Sequence, residues 1–443
     1  LKTVTEQKCH MKSSLIDAEL CIKHRRIHEL VALIAKHVDD LKMTGTSEET
    51  ATIIRHLHDA FGELKIEWYQ FTNCGVRHYQ DKWSMEITLD QADYVTRLRP
   101  MVHSQLRSGQ PEDLCCPELH ALYMSLLGAI AYLSHTRIDI VVFICAFQRH
   151  THKPQVQHAR KLNKLLNWIQ KNPRKFVYKC LSKGKQAPAT HLRVISDAAY
   201  KKETEDGYSL RGALFLRAAG TGSELLSKEE CPVHILDIAC KSQKRVTRST
   251  FAAELLAAGD AADQGILTAH MLYETECQVL TASEARARRH KQGFAPISLS
   301  VDAKSVYAAV TASFIKRPAD QSLLCDVQYL REQLDLKTVT QLCWIDTRDM
   351  TADGLTKGSV DRSALHAVMS GTMKLNHPFE TWSSKGVQSN ERTFDSVDES
   401  EHTHFVHNFF VHACSHFRSM PPIRAPSFLS LIHISEPTRH VDI

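Results

Sequence analysis

Residues 191–200 read HLRVISDAAY, an apolar run with one carboxylate, Asp197, near its end. A short run of this kind predicts a buried strand. Two more strand patterns follow, GYSLRGALFLRA at 207–218 and PVHILDIACKSQKRV at 232–246, joined by a polar loop. RSTFAAELLAAGDAADQGILTAHML at 248–272 predicts a helix with Ser249 or Thr250 as its cap and Glu254 in its first turns. PISLSVDAKSVYAAV at 296–310 gives a strand, then Asp302, then a helix. VTQLCWIDT at 339–347 is a last strand, and MTADGLTKG at 350–358 follows with Asp353. Strands alternating with helices imply an α/β domain from about residue 190.

Each of these acids has a plain explanation when taken alone. Asp302 could cap the helix that follows it, Asp353 could belong to an Asp-Gly turn, and Glu254 could complement the positive end of its helix. The set says more. Carboxylates at the ends of two strands, on a neighbouring helix and just after a final strand can converge on one edge of a sheet. Four of them can hold two divalent ions roughly 3.5–4 Å apart, an arrangement that activates water and stabilises a leaving oxygen in phosphodiester cleavage.

Working backwards, residues 119–171 read as helices. In the last, Pro154 suits a first turn, while Ala159, Leu162, Leu165, Leu166 and Ile169 share one face. Residues 101–118 are polar and carry Pro and Gly, which suggests a linker. Nearer the start, AKHVDDLKMTG at 35–45 places Asp39 and Asp40 directly after the apolar run ELVALIA. Asp favours turns, so a solvated hairpin tip is one reading. A divalent cation that relieves the repulsion between neighbouring carboxylates is the other.

The chain has 443 residues, enough for two or three domains with their own cores. A net charge of +5 permits a nucleic-acid partner without demanding one. The charge is concentrated in 158–186 and in EARARRHKQG at 284–293, candidates for phosphate contact or solvated helix faces. The 13 cysteines include no C-x-x-C pair, and the adjacent Cys115 and Cys116 have no matching motif, which argues for reduced thiols inside a cell. The tract LYMSLLGAIAYLSHTRIDIVVFICAF at 122–147 is long enough to span a bilayer. However, it holds His135, Arg137 and Asp139 near its centre, so two packed helices around a turn are expected.

HVDDLKMTG, the 122–147 tract, ISDAAY, RSTFAAEL, SVDAKSVYAAV and MTADGLTK stand in the order found in the C-terminal part of copia-type long-terminal-repeat retrotransposon Pol polyproteins. The resemblance runs from about residue 10 to 370. It implies the end of a reverse transcriptase palm at 1–100, a helical thumb or connection region at 101–185, and a ribonuclease H-like domain at 186–370, a mixed sheet with flanking helices. Asp197, Glu254, Asp302 and Asp353 resemble that domain's four metal-binding acids, which implies two Mg²⁺ ions, with Mn²⁺ as a substitute, and an RNA–DNA hybrid as substrate. Asp39 and Asp40 resemble the paired metal-binding acids of the polymerase hairpin, with His37 where tyrosine is usual. Too few residues precede them to supply the polymerase's further carboxylate and its fingers, so the chain is expected not to polymerise DNA alone. Ile138 stands where the family commonly has proline.

The resemblance also implies that upstream integrase, protease and polymerase portions are missing here, that no membrane is involved, and that the setting is a cytoplasmic retroelement particle or the nucleus. A catalytically silent remnant that at most binds nucleic acid is the competing reading. The tail from 371 is expected to be disordered or non-native. Its histidine-rich stretch at 401–417 offers His402, His404, His407, His412, Cys414 and His416 without a recognised ligand spacing. LSLIHISEPTRH at 429–440 resembles a translated sequencing-library adapter.

Overall fold

The computed structural model describes residues 1–181, 189–200, 209–220, 229–314, 318–385 and 430–434. The histidine-rich stretch lies outside them. Strands β1 (Lys12–Ser13), β2 (Leu20–Arg26), β3 (Glu29–His37), β4 (Asp40–Gly45) and β5 (Leu64–Trp68) belong to a first sheet, with helix α1 (Ser47–Phe61) against β3 and β4. Thr46 starts α1 by accepting a hydrogen bond from the Glu49 N–H, and Ile53 and Leu57 turn inward. A second sheet holds β6 (Gln70–Asn73), β7 (Val76–Gln80), β8 (Ile87–Asp90) and β9 (Phe176–Tyr178).

Five helices fill the chain between β8 and β9: α2 (Ala92–Arg97), α3 (Gln105–Ser108), α4 (Pro117–Ala131), α5 (Val141–Gln148) and α6 (Val156–Lys171). The long apolar tract divides as expected. Two 3₁₀ turns separate α4 from α5, and within them Arg137 and Asp139 form a buried ion pair at 2.9 Å. Hydrogen bonds from His366 and Arg137 outweigh the effect of burial on Asp139 and hold its carboxyl at about 2. No helix among the described residues is long and apolar enough to cross a membrane. Residues 101–118 correct the expectation of a linker. The Asn163 side chain bonds both the N–H and the C=O of Met101, and Arg160 donates to the carbonyls of Leu106 and Gly109, so this segment is fastened along α6.

The third sheet has seven strands and follows from the 191–200 run. Its elements are β10 (Thr190–Ala199), β11 (Leu210–Ala219), β12 (Cys231–Ser242), α7 (Thr250–Glu276), α8 (Ala282–Lys291), β13 (Ile297–Val301), α9 (Lys304–Thr311), α10 (Leu324–Asp335), β14 (Gln341–Ile345), α11 (Asp353–Thr356), α12 (Ser363–Met369), β15 (Thr372–Met373) and β16 (Phe379–Trp382). The order is β15-β12-β11-β10-β13-β14-β16. β10 runs antiparallel to β11 but parallel to β13, and β13 is parallel to β14, so the sheet is mixed. All ten residues of β10 are buried, as a central strand covered on both faces requires. Helix α7 comes close to it because its inward face is built from Ala and Gly. A methyl group on Gly265 would stand 3.0 Å from Val194 Cγ2. Val194 and Ile195 are fully enclosed, and each contributes roughly 1.5–3 kcal/mol by leaving water.

Two segments after 371 are paired strands, while most of the tail lies outside the described residues. β15 pairs with β12 and β16 pairs with β14, so the sheet continues to Trp382. Strand β17 (Ser430–Ile434), within the adapter-like stretch, lies between β4 and β5 and pairs antiparallel with both. Strand edges offer unpaired backbone donors and acceptors, and any segment of extended backbone can satisfy them.

Candidate metal centre

Asp197 is the third-last residue of β10, within the fully buried core of the sheet. Glu254 reaches it from the fifth position of α7, where the Ala198 N–H donates to Glu254 Oε2 at 3.1 Å. Asp302 follows the last residue of the neighbouring strand β13. One carboxylate oxygen from each of these three residues lies within 4.8 Å of the others.

The single-residue explanations for these acids do not describe what the side chains do. Ala303 holds the N-cap position of α9, without a side-chain cap, and Asp302 accepts instead from Thr347 Oγ1 at 3.0 Å. Ser249 caps α7, leaving Glu254 to face the sheet. Asp353 begins α11 rather than occupying a hairpin turn.

Asp353 joins the group through a cation. Lys357, one helical turn on, places Nζ 2.5 Å from Asp353 Oδ1 and 3.4 Å from Asp197 Oδ1. Thr356 Oγ1 donates to the other oxygen of Asp197. Glycine makes this approach possible. Gly212 is the cross-strand partner of Asp197, and a methyl group there would stand 2.7 Å from Thr356 Cγ2 and 3.0 Å from Leu355 Cβ. Sequence reasoning selected Asp353 but missed Lys357, Thr356 and Thr347. The spacing of Asp353 and Lys357 was the available signal, since residues four apart on a helix are neighbours.

The electrostatics are those of crowded acids. Burial, then the charges of Asp197 and Asp302, push the Glu254 carboxyl up to about 9. Burial and the Asp353 charge push Asp197 up to about 6 against the pull of Lys357 and Thr356. Asp302 and Asp353 are also raised, chiefly by burial. Lys357 is held protonated, because the charges of Asp197, Asp353 and Asp302 outweigh the cost of its burial. Three hard oxygen donors that repel one another suit a hard divalent cation, which would supply the missing positive charge. The group opens into a cavity of about 890 Å³. Glu254, Asp302, Thr347 and Lys357 line it together with Phe143 and Arg149, from α5 and its end.

The other predicted pair is placed differently. His37 pairs with Asp40 across the β3–β4 hairpin, with Val38 at φ 52° and Asp39 forming its tip. Asp39 and Asp40 are half-buried, and Asn73 Nδ2 lies 3.4 Å from Asp40 Oδ2. Among the described residues they join no group of three potential ligands. His103, Cys116 and Glu118 do form a second close group. There the Gln105 N–H donates to His103 Nδ1, which leaves the ring proton on Nε2, facing Cys116 Sγ at 3.6 Å. A ring in that tautomer has no free lone pair for a metal.

No family model matches the chain, and no solved structure matches it. The retrovirus-related Pol polyprotein from transposon RE1 of Arabidopsis thaliana is 22% identical over 235 residues, covering 53% of this chain and 14% of that protein. The chain thus spans a small part of the length of the relative it matches, and the likeness supports a chain related to retrotransposon Pol proteins.

Proposed function

We propose that the chain is a C-terminal part of a copia-type retrotransposon Pol and that its seven-stranded domain is a ribonuclease H, hydrolysing the RNA strand of RNA–DNA hybrids with Mg²⁺. The observation that carries this reading is the convergence of Asp197, Glu254 and Asp302 within 4.8 Å, on a β-strand, a helix and a strand end of one mixed sheet. The similarity to a Pol polyprotein supports the retrotransposon part of this reading.

In this reading Asp197, Glu254 and Asp302 hold divalent metal, and Asp353 completes a second position. Bound Mg²⁺ would activate water and stabilise the leaving oxygen. The chain's own groups do the rest. Thr347 orients Asp302, and the Ala198 N–H orients Glu254. Lys357 balances the charge of Asp197 and Asp353. Glu254 keeps a proton near neutral pH until a cation displaces it. Basic side chains on α6 and α8 would contact phosphates, which positions a duplex without reading its sequence. The 2′-hydroxyls, displayed across a wide minor groove, mark the RNA strand.

The test is incubation of the chain with an end-labelled RNA–DNA hybrid and Mg²⁺. Cutting of the RNA strand alone, lost with EDTA and with Asp197→Asn, is the expected result. Binding of the hybrid with no Mg²⁺-dependent cutting would instead identify a silent remnant.

A further inference from the structure

Two thiols meet beside the acidic cavity. Cys145 on α5 and Cys240 on β12 are separated by 95 residues, yet their Sγ atoms lie 3.3 Å apart. Each is also engaged with backbone: Cys145 Sγ donates to the Cys240 carbonyl at 3.2 Å, and Cys240 Sγ contacts the Leu355 carbonyl at 3.0 Å. We propose that Cys145 and Cys240 are a covalent modification site, forming an intramolecular disulfide when the protein meets a two-electron thiol oxidant of the glutathione disulfide class. This inference stands independently of the nuclease reading.

Geometry supplies most of the argument. A disulfide spans about 2.05 Å between sulfurs, so the two must close by only about 1.2 Å. Cys145 lines the cavity of about 890 Å³, which gives an oxidant a route to it, whereas Cys240 is buried behind it. The roles therefore divide. The Cys240 S–H, Arg149 and Lys241 favour the thiolate at Cys145, which fits it as the first nucleophile, while Cys240 is held as a thiol by its neighbour and by burial.

Cys145 thiolate attacks one sulfur of glutathione disulfide, forming a mixed disulfide and releasing one glutathione thiolate. Cys240 then loses its proton to solvent and attacks Cys145 Sγ, expelling the second glutathione. Two protein thiols are oxidised, and one glutathione disulfide is reduced to two thiols. The bond would tie α5, one wall of the cavity, to the sheet. It would also remove the Cys240 S–H from Leu355, the residue two places after Asp353 in α11.

The experiment treats the full chain with glutathione disulfide, blocks remaining thiols by alkylation, and maps the peptides by mass spectrometry without reduction. The expected result is a Cys145–Cys240 linked peptide, lighter than its two thiol peptides by two hydrogen masses and restored to them by a reductant. In Cys240→Ala the expected result is a stable glutathione adduct on Cys145, which also shows that this thiol is reached. If wild type instead keeps the adduct on Cys145, or if both cysteines are alkylated as fully as the exposed Cys74 and Cys325, the proposal is wrong.

Discussion

The hairpin at Asp39–Asp40 and the cluster at Asp197 pose the same physical problem, like charges at the ends of buried strands, and they resolve it differently. At the hairpin the two carboxylates are half-buried at a turn, and among the described residues they join no group of three potential ligands. At the cluster, Asp197 and Glu254 are buried, Asp302 is half-buried, and three acids from separate elements share one space with a lysine. The difference lies in what surrounds the strand. β10 is a central strand with α7 closed over it, and α7 brings Glu254 inward. Adjacency along the chain therefore brings together fewer carboxylates than a sheet and a helix that force three acids into one space.

The largest effect expected from this contrast is on cleavage. Asp197→Asn leaves Glu254 and Asp302 crowded without the central ligand. Removing one preorganised electrostatic group from a reaction centre typically costs roughly 10²–10³-fold in rate, about 2.7–4 kcal/mol. Initial rates on a labelled hybrid at saturating Mg²⁺ measure it. A loss smaller than tenfold would break the comparison, because Asp197 would then matter no more than a surface acid.

The next effect is on stability, and its sign is opposite. Glu254 has a carboxyl near 9 in the folded chain and an ordinary value of 4.5. Below pH 4.5 both folded and unfolded chains carry its proton. Between 4.5 and 9 the unfolded chain releases the proton while the folded chain retains it, so folded stability is lost as pH rises. At pH 7 the loss amounts to about 3 kcal/mol, taking about 1.4 kcal/mol per unit. Glu254→Gln is therefore expected to stabilise the metal-free chain by about 2–3 kcal/mol at pH 7 and to flatten its pH dependence over that range. Urea unfolding in EDTA measures both. Adding Mg²⁺ should stabilise wild type more than the variant, since the cation relieves a repulsion that the variant no longer has.

These predictions also mark what was legible in the sequence. Strands β10, β13 and β14 were readable because apolar runs of five to ten residues end in recognisable caps and turns, and the acids stood at those ends. The spacing of Asp353 and Lys357 signalled their pairing, but the reach of Lys357 to Asp197 was not readable, because it depends on Gly212 admitting α11 against β11, a contact between segments more than a hundred residues apart. The fastening of 101–118 to α6 escaped for a similar reason. Backbone groups of Met101, Leu106 and Gly109 bond to Asn163 and Arg160, and main-chain partners leave no pattern in the sequence. The ordered continuation to Trp382 was missed because short edge strands take their backbone partners from β12 and β14, with little apolar pattern of their own.

A smaller effect is expected at Lys357. Lys357→Met leaves Asp197 and Asp353 facing each other without their shared ammonium, so the metal-free chain should lose stability. A fully buried pair would cost about 3–5 kcal/mol when broken. Lys357 keeps 34% of its side chain exposed, and solvent screening reduces the cost to about 1–2 kcal/mol. Thermal unfolding in EDTA measures this, and Mg²⁺ should restore more of the lost stability than it adds to wild type. If Lys357→Met is neutral without metal, the lysine is not what keeps the acids together.

The smallest effect belongs to the hairpin, and it tests the contrast from the other side. Asp39 lies in the two-residue tip and Asp40 is the first residue of β4 beside it, and substitutions away from buried networks usually change stability by no more than about 0.5 kcal/mol. Asp39→Asn combined with Asp40→Asn should leave hybrid cleavage, its Mg²⁺ dependence and the unfolding midpoint unchanged. Mn²⁺ binding followed by calorimetry gives the sharper reading, because the heat should vanish with Asp197→Asn and persist in the hairpin variant. A hairpin variant that lost bound Mn²⁺ would place a metal at the tip after all. Convergence of three acids would then cease to be the feature that separates the two regions.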